Sequence, residues 1–349
     1  MAKGKKKITA SQLDVMLEAR EYLLKKHGQG SIIGMDEIDS TIPGYISTQS
    51  LAIDALVGNG GLPQSRLIEI FGPEGAGKST IADHVFAEVQ RHNGQTYLWD
   101  TENARETKYI DRIGIVRKLA SQIEATTLEE GFEVMADTIS WHAEHYPDVP
   151  GVIVWDTVAS TATSNELNPD KKDEAFGPAK IIRGNLRKLV LALKRSRWML
   201  IAVNQEYEQT KNYLTIRKTY GGGGIPYHSS IRLSVWPGTK LYGAGGKDSG
   251  LPPIGQVVSI RSVKNKVASP WRRMEAAIVY GEGIDNTWTI FDTLKGAGLI
   301  SSGGGWYSLD LPGKFPKWQT GFLGLKELCR QEPDLWGVLL EAYRGVLHG

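Results

Sequence analysis

Apolar and polar positions along this chain follow two regimes that take turns. Short, nearly unbroken apolar runs of strand length fall at 66–71, 96–100, 151–156, 199–204, 230–235 and 257–263. Between them apolar residues return every three or four positions, as in Ile81, Ala82, Val85, Phe86 and Val89, and in Ile182, Leu186, Leu189 and Leu193. Buried strands alternating with amphipathic helices predict an α/β fold with a mostly parallel central sheet over residues 45–282. Before it, residues 1–9 form a basic tail. Leu13, Met16, Leu17, Leu23 and Leu24 place a helix over 10–27, and a linker rich in Gly and Pro completes a segment 1–44. From 283 to 349 the texture changes to Gly, Trp and short helices, which predicts a small C-terminal α+β domain. No internal repeat is visible. Two polar segments, 164–177 and 206–224, directly follow strand-like runs. They are therefore expected at the carboxyl edge of the sheet, where open α/β folds bind ligands.

The first strand runs into the most specific chemistry in the chain. Gly72-Pro73-Glu74-Gly75-Ala76-Gly77-Lys78-Ser79 fits the phosphate-binding pattern G-x-x-x-x-G-K-[ST], between a strand and a helix. A glycine-rich turn at a helix N-terminus aims several backbone N–H groups at one point, the geometry that holds nucleotide phosphate. Residues 72–80, through Thr80, are thus candidate ATP contacts. Lys78 reaches the β- and γ-phosphates, and the Ser79 hydroxyl is a ligand for Mg²⁺. Gly151-Val-Ile-Val-Trp-Asp156 is an apolar strand ending in a carboxylate, which such a fold uses to hold the Mg²⁺ through water. Asp100-Thr-Glu102 ends another strand with two acids. A carboxylate there can activate the attacking water, but helix capping or a solvated strand end requires the same residue types. Asn204-Gln205 closes a further strand, where an amide serves either as a γ-phosphate contact or as a turn residue.

Composition narrows this picture only in places. An apolar content of 41% over 349 residues supports a real core. The single cysteine, Cys329, excludes an intrachain disulfide and a cysteine-based zinc site and fits a reducing cytoplasm. Neither a signal-peptide pattern nor a membrane-length apolar run is present, so no membrane partner is expected. A formal net charge of +2 does not announce a polyanion partner, yet the cations are segregated. From Ala175 to Gln205 there are seven basic residues and no acid, with Lys180, Arg183, Arg187 and Lys194 on the helical face opposite the apolar stripe. A second acid-free window, Ser249 to Met274, holds Arg261, Lys264, Lys266, Arg272 and Arg273. A basic helix face is often plain solvated surface; segregation in a near-neutral chain favours polyanion contact. The segment 206–224 interleaves Tyr207, Tyr213 and Tyr220 with Lys211, Arg217 and Lys218 and ends in four glycines. Base stacking and phosphate contact need that mixture.

Taken together these residues resemble the RecA family of homologous-recombination ATPases. The likeness starts at Gly30-Ser-Ile and Ile46-Ser-Thr-Gln-Ser50 and runs through Gly60-Gly-Leu-Pro63 into the phosphate loop. It continues in Asp100-Thr-Glu102, Val154-Trp-Asp156, Asn204-Gln205, Val263-Lys-Asn-Lys-Val267, Tyr280-Gly-Glu-Gly-Ile284 and Gly305-Trp-Tyr-Ser308. The divergent stretches are those of an outlying or phage-encoded member. The resemblance implies a RecA-like P-loop NTPase core, a DNA-dependent ATPase, and roles that the spacing alone leaves open. Glu102 is then the water-activating carboxylate and Gln205 the γ-phosphate sensor. Tyr109 packs on adenine, with Glu106 beside it. Lys264 and Lys266 reach across a subunit interface to the neighbour's γ-phosphate. The segments 164–177 and 206–224 become the two DNA-binding loops. Phe176, Lys180, Arg183, Arg187, Tyr213, Arg217, Lys218, Gly221 and Gly222 are the candidate DNA contacts, and Tyr227 couples the second loop to the interface.

Some positions depart from the family pattern. Pro226 stands where a lysine is usual, Gly223-Gly224 replaces larger residues, and Arg105 and Trp155 are unusual neighbours of the site. The chain ends Tyr343-Arg-Gly-Val-Leu-His-Gly349 instead of in an acidic run.

The function that follows is an ATP-dependent DNA recombinase. It forms a head-to-tail helical filament on single-stranded DNA, with ATP and Mg²⁺ at each interface, and pairs that strand with a homologous duplex in the bacterial or phage-infected cytoplasm. The alternatives are a hexameric helicase or translocase on the same core, a nucleotide-gated DNA-binding paralogue with little turnover, and a small-molecule kinase. The paired lysines, Glu102 and the two loops argue against these in turn.

Overall fold

The computed structural model describes residues 10–28, 31–33, 35, 42–103, 105–168, 177–211, 214–243 and 245–348. Phe176 and Tyr213 lie outside them. Residues 1–42 and 43–349 are separate compact units. In the first, the expected helix runs Ala10–His27, with Lys25, Lys26 and His27 in its last turn, where cations complement the helix dipole.

The second unit is built on a ten-stranded sheet. Six strands are parallel, in the order Ile231–Leu241, Leu67–Gly72, Trp198–Lys211, Gly151–Asp156, Gln95–Asp100 and Ala120–Gln122. Three antiparallel strands, Gly255–Asn265, Arg273–Val279 and Gly283–Asp285, extend one edge. All six sequence-predicted strands are present. They read as unbroken apolar runs because both faces are covered. Ile68, Ile70, Val154, Ile201 and Val203 meet the helix Lys78–Arg91 on one face, while Leu67, Ile153, Leu200 and Ala202 meet the helices Leu128–His145 and Pro178–Lys194 on the other. Each Leu, Ile or Val among them contributes roughly 1.5–3 kcal/mol on burial. Trp155 finds its explanation here. It is fully buried, pairs in register with Trp99 on the next strand, stacks on that ring at 5.2 Å and donates its Nε1–H to Thr161.

Past Gly283, the helices Asn286–Gly296, Phe322–Gln331 and Pro333–His348 and the hairpin of Ile300–Gly303 with Trp306–Leu309 collect Leu294, Leu325, Leu339 and Tyr343 into an apolar cluster. That cluster also takes in Leu241, Val257 and Ala277 of the outer strands.

Within 206–224 the described residues form a hairpin, not an irregular polar loop. The strand Trp198–Lys211 runs on past the sheet edge and pairs antiparallel with Leu214–Thr219, Glu206 opposite Thr219 and Glu208 opposite Arg217. Its cohesion comes from the backbone ladder and from polar cross-strand pairs, Arg217 with Glu208 at 3.1 Å and Lys218 with Gln209 at 2.7 Å. In the segment 164–177, a one-turn helix Ser164–Leu167 is closed by a capping box between Thr163 and Glu166, and residues 169–176 lie outside the described ones.

Candidate active site

Strand register brings the site together. Val203, Asp156 and Asp100 stand in one row across three neighbouring strands at the carboxyl edge, and Gly72 lies opposite Gln205 two residues further along, so Gly72, Asp100, Asp156 and Gln205 come together from distant parts of the sequence. Above that row is a cleft of about 560 Å³. Of the sequence candidates, Glu74, Gly75, Gly77, Lys78, Ser79, Thr80, Glu102, Glu106, Tyr109, Asp156 and Gln205 line it. Gly72 and Ala76 are buried beneath it.

The phosphate loop has the backbone its glycines were expected to allow. Gly77, the N-cap of the helix, is left-handed at φ 84°, and a Cβ there would also strike Ile278; a Cβ on Gly72 would strike the Val235 carbonyl. Both positions thus demand glycine, and together they leave the first helical N–H groups open to the cleft. Lys78 is 7% exposed and donates to the Pro73 carbonyl at 2.7 Å. Burial lowers its pKa, while Asp156, Glu102 and Glu74 oppose that shift. Gln256 donates to the Gly75 carbonyl at 2.6 Å and accepts from Lys240 at 2.9 Å, so the outer strands buttress the loop. Sequence reasoning missed Gln256, which carries no local signal.

Glu102 and Gln205, 103 positions apart, meet directly. Gln205 Nε2 donates to Glu102 Oε1 at 3.3 Å, and the Ser160 hydroxyl donates to the same oxygen at 3.0 Å. Ser160 was also missed. Asp100 accepts the N–H groups of Glu102 and Asn103 on Oδ1, at 3.1 and 2.9 Å, and so shapes the turn that presents Glu102. Tyr109 shares a 2.8 Å hydrogen bond with the Thr80 hydroxyl, tying the far wall of the cleft to the P-loop helix.

Arg105 crosses the floor. Its guanidinium pairs with Asp83 at 3.0 Å, Asp156 at 2.8 Å and Asp100 at 3.4 Å, and it is only 10% exposed. Burial pushes the Asp83 carboxyl up to about 6 against the pull of Arg105; burial also works to lower the Arg105 pKa, but the three carboxylates together outweigh it and raise that pKa further above its already high value. Arg105 had stood out in sequence without a role; Asp83 had not stood out at all.

Hydroxyl and carboxylate oxygens around the phosphate loop suit a hard cation such as Mg²⁺. Asp156 Oδ1 has no hydrogen-bond partner among the described residues and is available to such an ion's water shell. The described residues hold no group of three or more His, Cys, Asp or Glu arranged as a metal site. A cation here would take most of its ligands from nucleotide phosphate and water.

The remaining candidates lie elsewhere. Lys180, Arg183 and Arg187 line a second hollow of about 670 Å³ with Gly223, Gly224, Tyr227 and His228. Ile182, Leu186, Leu189 and Leu193 of the same helix are buried, as its stripe predicted. Gly221 and Gly222 pack on that helix at Ile182 and Ala179. Lys264 and Lys266 do not line the nucleotide cleft. Lys264 donates to the carbonyls of Pro226 and Tyr227 at 2.6 and 2.9 Å, capping the short helix Gly224–His228 that follows the hairpin. Burial, Lys266 and Arg232 bring its ammonium down to about 8. Burial lowers His228, helped by Arg187, Lys266, Lys264 and Arg183, so the two acid-free windows of the sequence converge around one ring. Arg217 lies over the Trp236 ring at 4.5 Å.

A parallel α/β core with a phosphate loop at its carboxyl edge, a strand-end aspartate beside it and a glutamate–amide pair over the cleft defines a P-loop ATPase. Comparison with known proteins gives the particular lineage. The family model described as "RecA N-terminal domain" matches residues 14–285. Protein RecA of Lactobacillus acidophilus is 32% identical over 346 residues, covering 99% of this chain and 89% of that protein. Protein RecA of Limosilactobacillus reuteri is 31% identical over 334 residues, covering 95% and 87%, and that of Bacillus thuringiensis is 33% identical over 298 residues, covering 85% and 82%. The chain belongs to the RecA family.

Proposed function

We infer that this protein is an ATP-dependent DNA recombinase: it assembles head-to-tail on single-stranded DNA, hydrolyses ATP at subunit interfaces, and pairs the bound strand with a homologous duplex. The observation that carries this reading is the strand Trp198–Lys211. It places Gln205 against Glu102 in the nucleotide cleft and continues without a break into the hairpin that bears Arg217 and Lys218. A γ-phosphate that engages Gln205 therefore pulls on one strand of the hairpin whose other strand bears Arg217 and Lys218. Among the described residues no helix is long and apolar enough to cross a membrane. By likeness to the RecA relatives we place the activity in the bacterial or phage-infected bacterial cytoplasm.

In this mechanism the backbone N–H groups of 75–79 and the Lys78 ammonium hold the phosphates. Ser79 and Asp156 are the residues that would hold Mg²⁺, which would supply charge stabilisation to the phosphates. Glu102 accepts the proton of the water that attacks the γ-phosphoryl group, with Ser160 and Gln205 fixing its carboxylate. ADP is the leaving group. Tyr109 and Glu106 receive the adenine. Lys264 and Lys266 contact the nucleotide of the adjacent protomer, so bound ATP links subunits; a head-to-tail interface that does not close gives a helical filament. Lys180, Arg183, Arg187, Arg217 and Lys218, with the two segments that hold Phe176 and Tyr213, track the DNA backbone and bases. Sequence recognition is left to Watson–Crick pairing.

If Arg187 contacts phosphate, Arg187→Ala weakens binding to all single-stranded sequences alike and reduces the salt slope of log K by about 0.7. An unchanged slope with a lowered melting temperature would assign Arg187 to structure alone. The recombinase itself is tested by joint-molecule formation between a single strand and a homologous duplex with a non-hydrolysable ATP analogue and Mg²⁺. A filament that uses ATP binding to extend DNA forms product under these conditions, and the 206–219 hairpin becomes protease-resistant only when analogue and DNA are both present. No product, together with ATP-driven unwinding of a forked duplex, would reassign the protein to the motor class.

A further inference from the structure

We propose that Arg105 is a positioning residue of the nucleotide site, a fork that locks the Glu102 turn, the Asp156 carboxylate and the P-loop helix into one frame. The inference rests on reading the cleft as a Mg²⁺-ATP site. Guanidinium donors point in fixed directions, so a guanidinium orients what it binds in a way that an ammonium does not. Here each direction meets a different element. Asp83 lies five residues beyond Lys78 on the P-loop helix, Asp100 ends the strand that leads to Glu102, and Asp156 ends its neighbour.

The bonding is divided in a way that a mere buried clamp would not need. Asp100 gives Oδ2 to Arg105 and Oδ1 to the N–H groups of Glu102 and Asn103, so the guanidinium reaches the catalytic turn through one carboxylate. Asp156 gives Oδ2 to Arg105, and its Oδ1 is without a partner among the described residues. The fork thus fixes the plane of the carboxylate and leaves one oxygen for the cation's water. Among the described residues Asp83 shares a side-chain hydrogen bond with Arg105 alone and serves as the anchor: it lies in the second turn of the helix that carries Lys78 and Ser79. Three carboxylates facing one guanidinium leave negative charge that an incoming divalent cation relieves, so metal and nucleotide arrive at a site already oriented for them.

Two variants separate positioning from scaffolding. Arg105→Lys keeps the charge and loses the fork. Asp83→Leu/Arg105→Leu removes one charge of each sign, so the net charge of the cluster is unchanged, and exchanging a buried pair for apolar side chains is commonly neutral or stabilising. Steady-state ATPase with single-stranded DNA is measured alongside the Mg²⁺ dependence of binding of a fluorescent ATP analogue, the latter independent of turnover. Positioning predicts that both variants lose about tenfold or more in kcat with KM for ATP within about threefold of the parent, and need several-fold more Mg²⁺ for half-maximal analogue binding. The double variant is expected to melt near the parent temperature and still show these losses. Parent-like kcat and Mg²⁺ half-point in the double variant, or in Arg105→Lys, would overturn the proposal. Should the double variant not fold, the Lys variant and its Mg²⁺ titration decide. Lys78→Ala serves as the separate control: if it binds the analogue as the parent does, the cleft is not the ATP site, and the reading beneath the proposal fails instead.

Discussion

Glu102→Gln protomers are expected to bind ATP and single-stranded DNA but to turn over ATP about 10²–10⁴ times more slowly, the usual range for loss of a positioned general base. The amide has the same shape and retains an oxygen for the hydrogen bond from Ser160, so the turn stays in place. What it lacks is the capacity to take a proton from water. Glu102 has no contact that assigns it to phosphate binding; its partners are Ser160 and Gln205. ATP-dependent DNA binding should therefore persist, and it should strengthen at steady state because the hydrolysis that releases DNA is blocked. Lys78→Ala, by contrast, removes the buried cation of the phosphate loop and should lose nucleotide and nucleotide-dependent DNA binding together. ATPase rates and fluorescence anisotropy of a labelled single strand, measured for both variants, separate the two roles. A normal rate in Glu102→Gln would remove it from the chemistry.

The second large effect tests whether nucleotide sites are shared between protomers. Lys264 and Lys266 stand outside the protomer's own nucleotide cleft, yet Lys264 is hydrogen-bonded to the carbonyls that end the helix following the hairpin. Contact with a neighbour's γ-phosphate would then act on the segment after the hairpin through two hydrogen bonds. A Lys264→Ala/Lys266→Ala protomer should bind ATP as a monomer and lose about a hundredfold or more in DNA-stimulated turnover, as for removal of a cation from a transferring phosphoryl group. Mixed in equal amounts with Lys78→Ala protomers, which are themselves inactive, it should recover activity. In a randomly mixed head-to-tail filament about a quarter of the interfaces pair an intact phosphate loop with intact lysines. Absence of recovery, with co-assembly verified by labelled protomers, would locate the lysines' function within one subunit.

Much of this architecture was legible before any tertiary structure, for a specific reason. The phosphate loop is a contiguous strand, turn and helix start, and the left-handed geometry at Gly77 is a property of one residue and its neighbours. The basic helix announced both its faces because a period near 3.6 is local information, and Ile182, Leu186, Leu189 and Leu193 are the residues it buries. The two-sided burial of the parallel strands appears as unbroken apolar runs.

The hairpin at 206–219 was not legible. Glu206, Glu208, Gln209 and Arg217 form no apolar face, and backbone pairing and polar cross-strand contacts leave no hydrophobic period to read. Resemblance assigned roles to Glu102 and Gln205; their meeting with each other and with Ser160 depends on which strands lie side by side. The joining of Arg105 to Asp83, Asp100 and Asp156 depends on strand order and register in the same way. The sequence by itself thus determined the phosphate loop, the alternation of elements and the family. The tertiary structure alone decided which distant carboxylates share one guanidinium, because propensity and periodicity act over a few residues while an ion network is set by where the sheet places its strand ends.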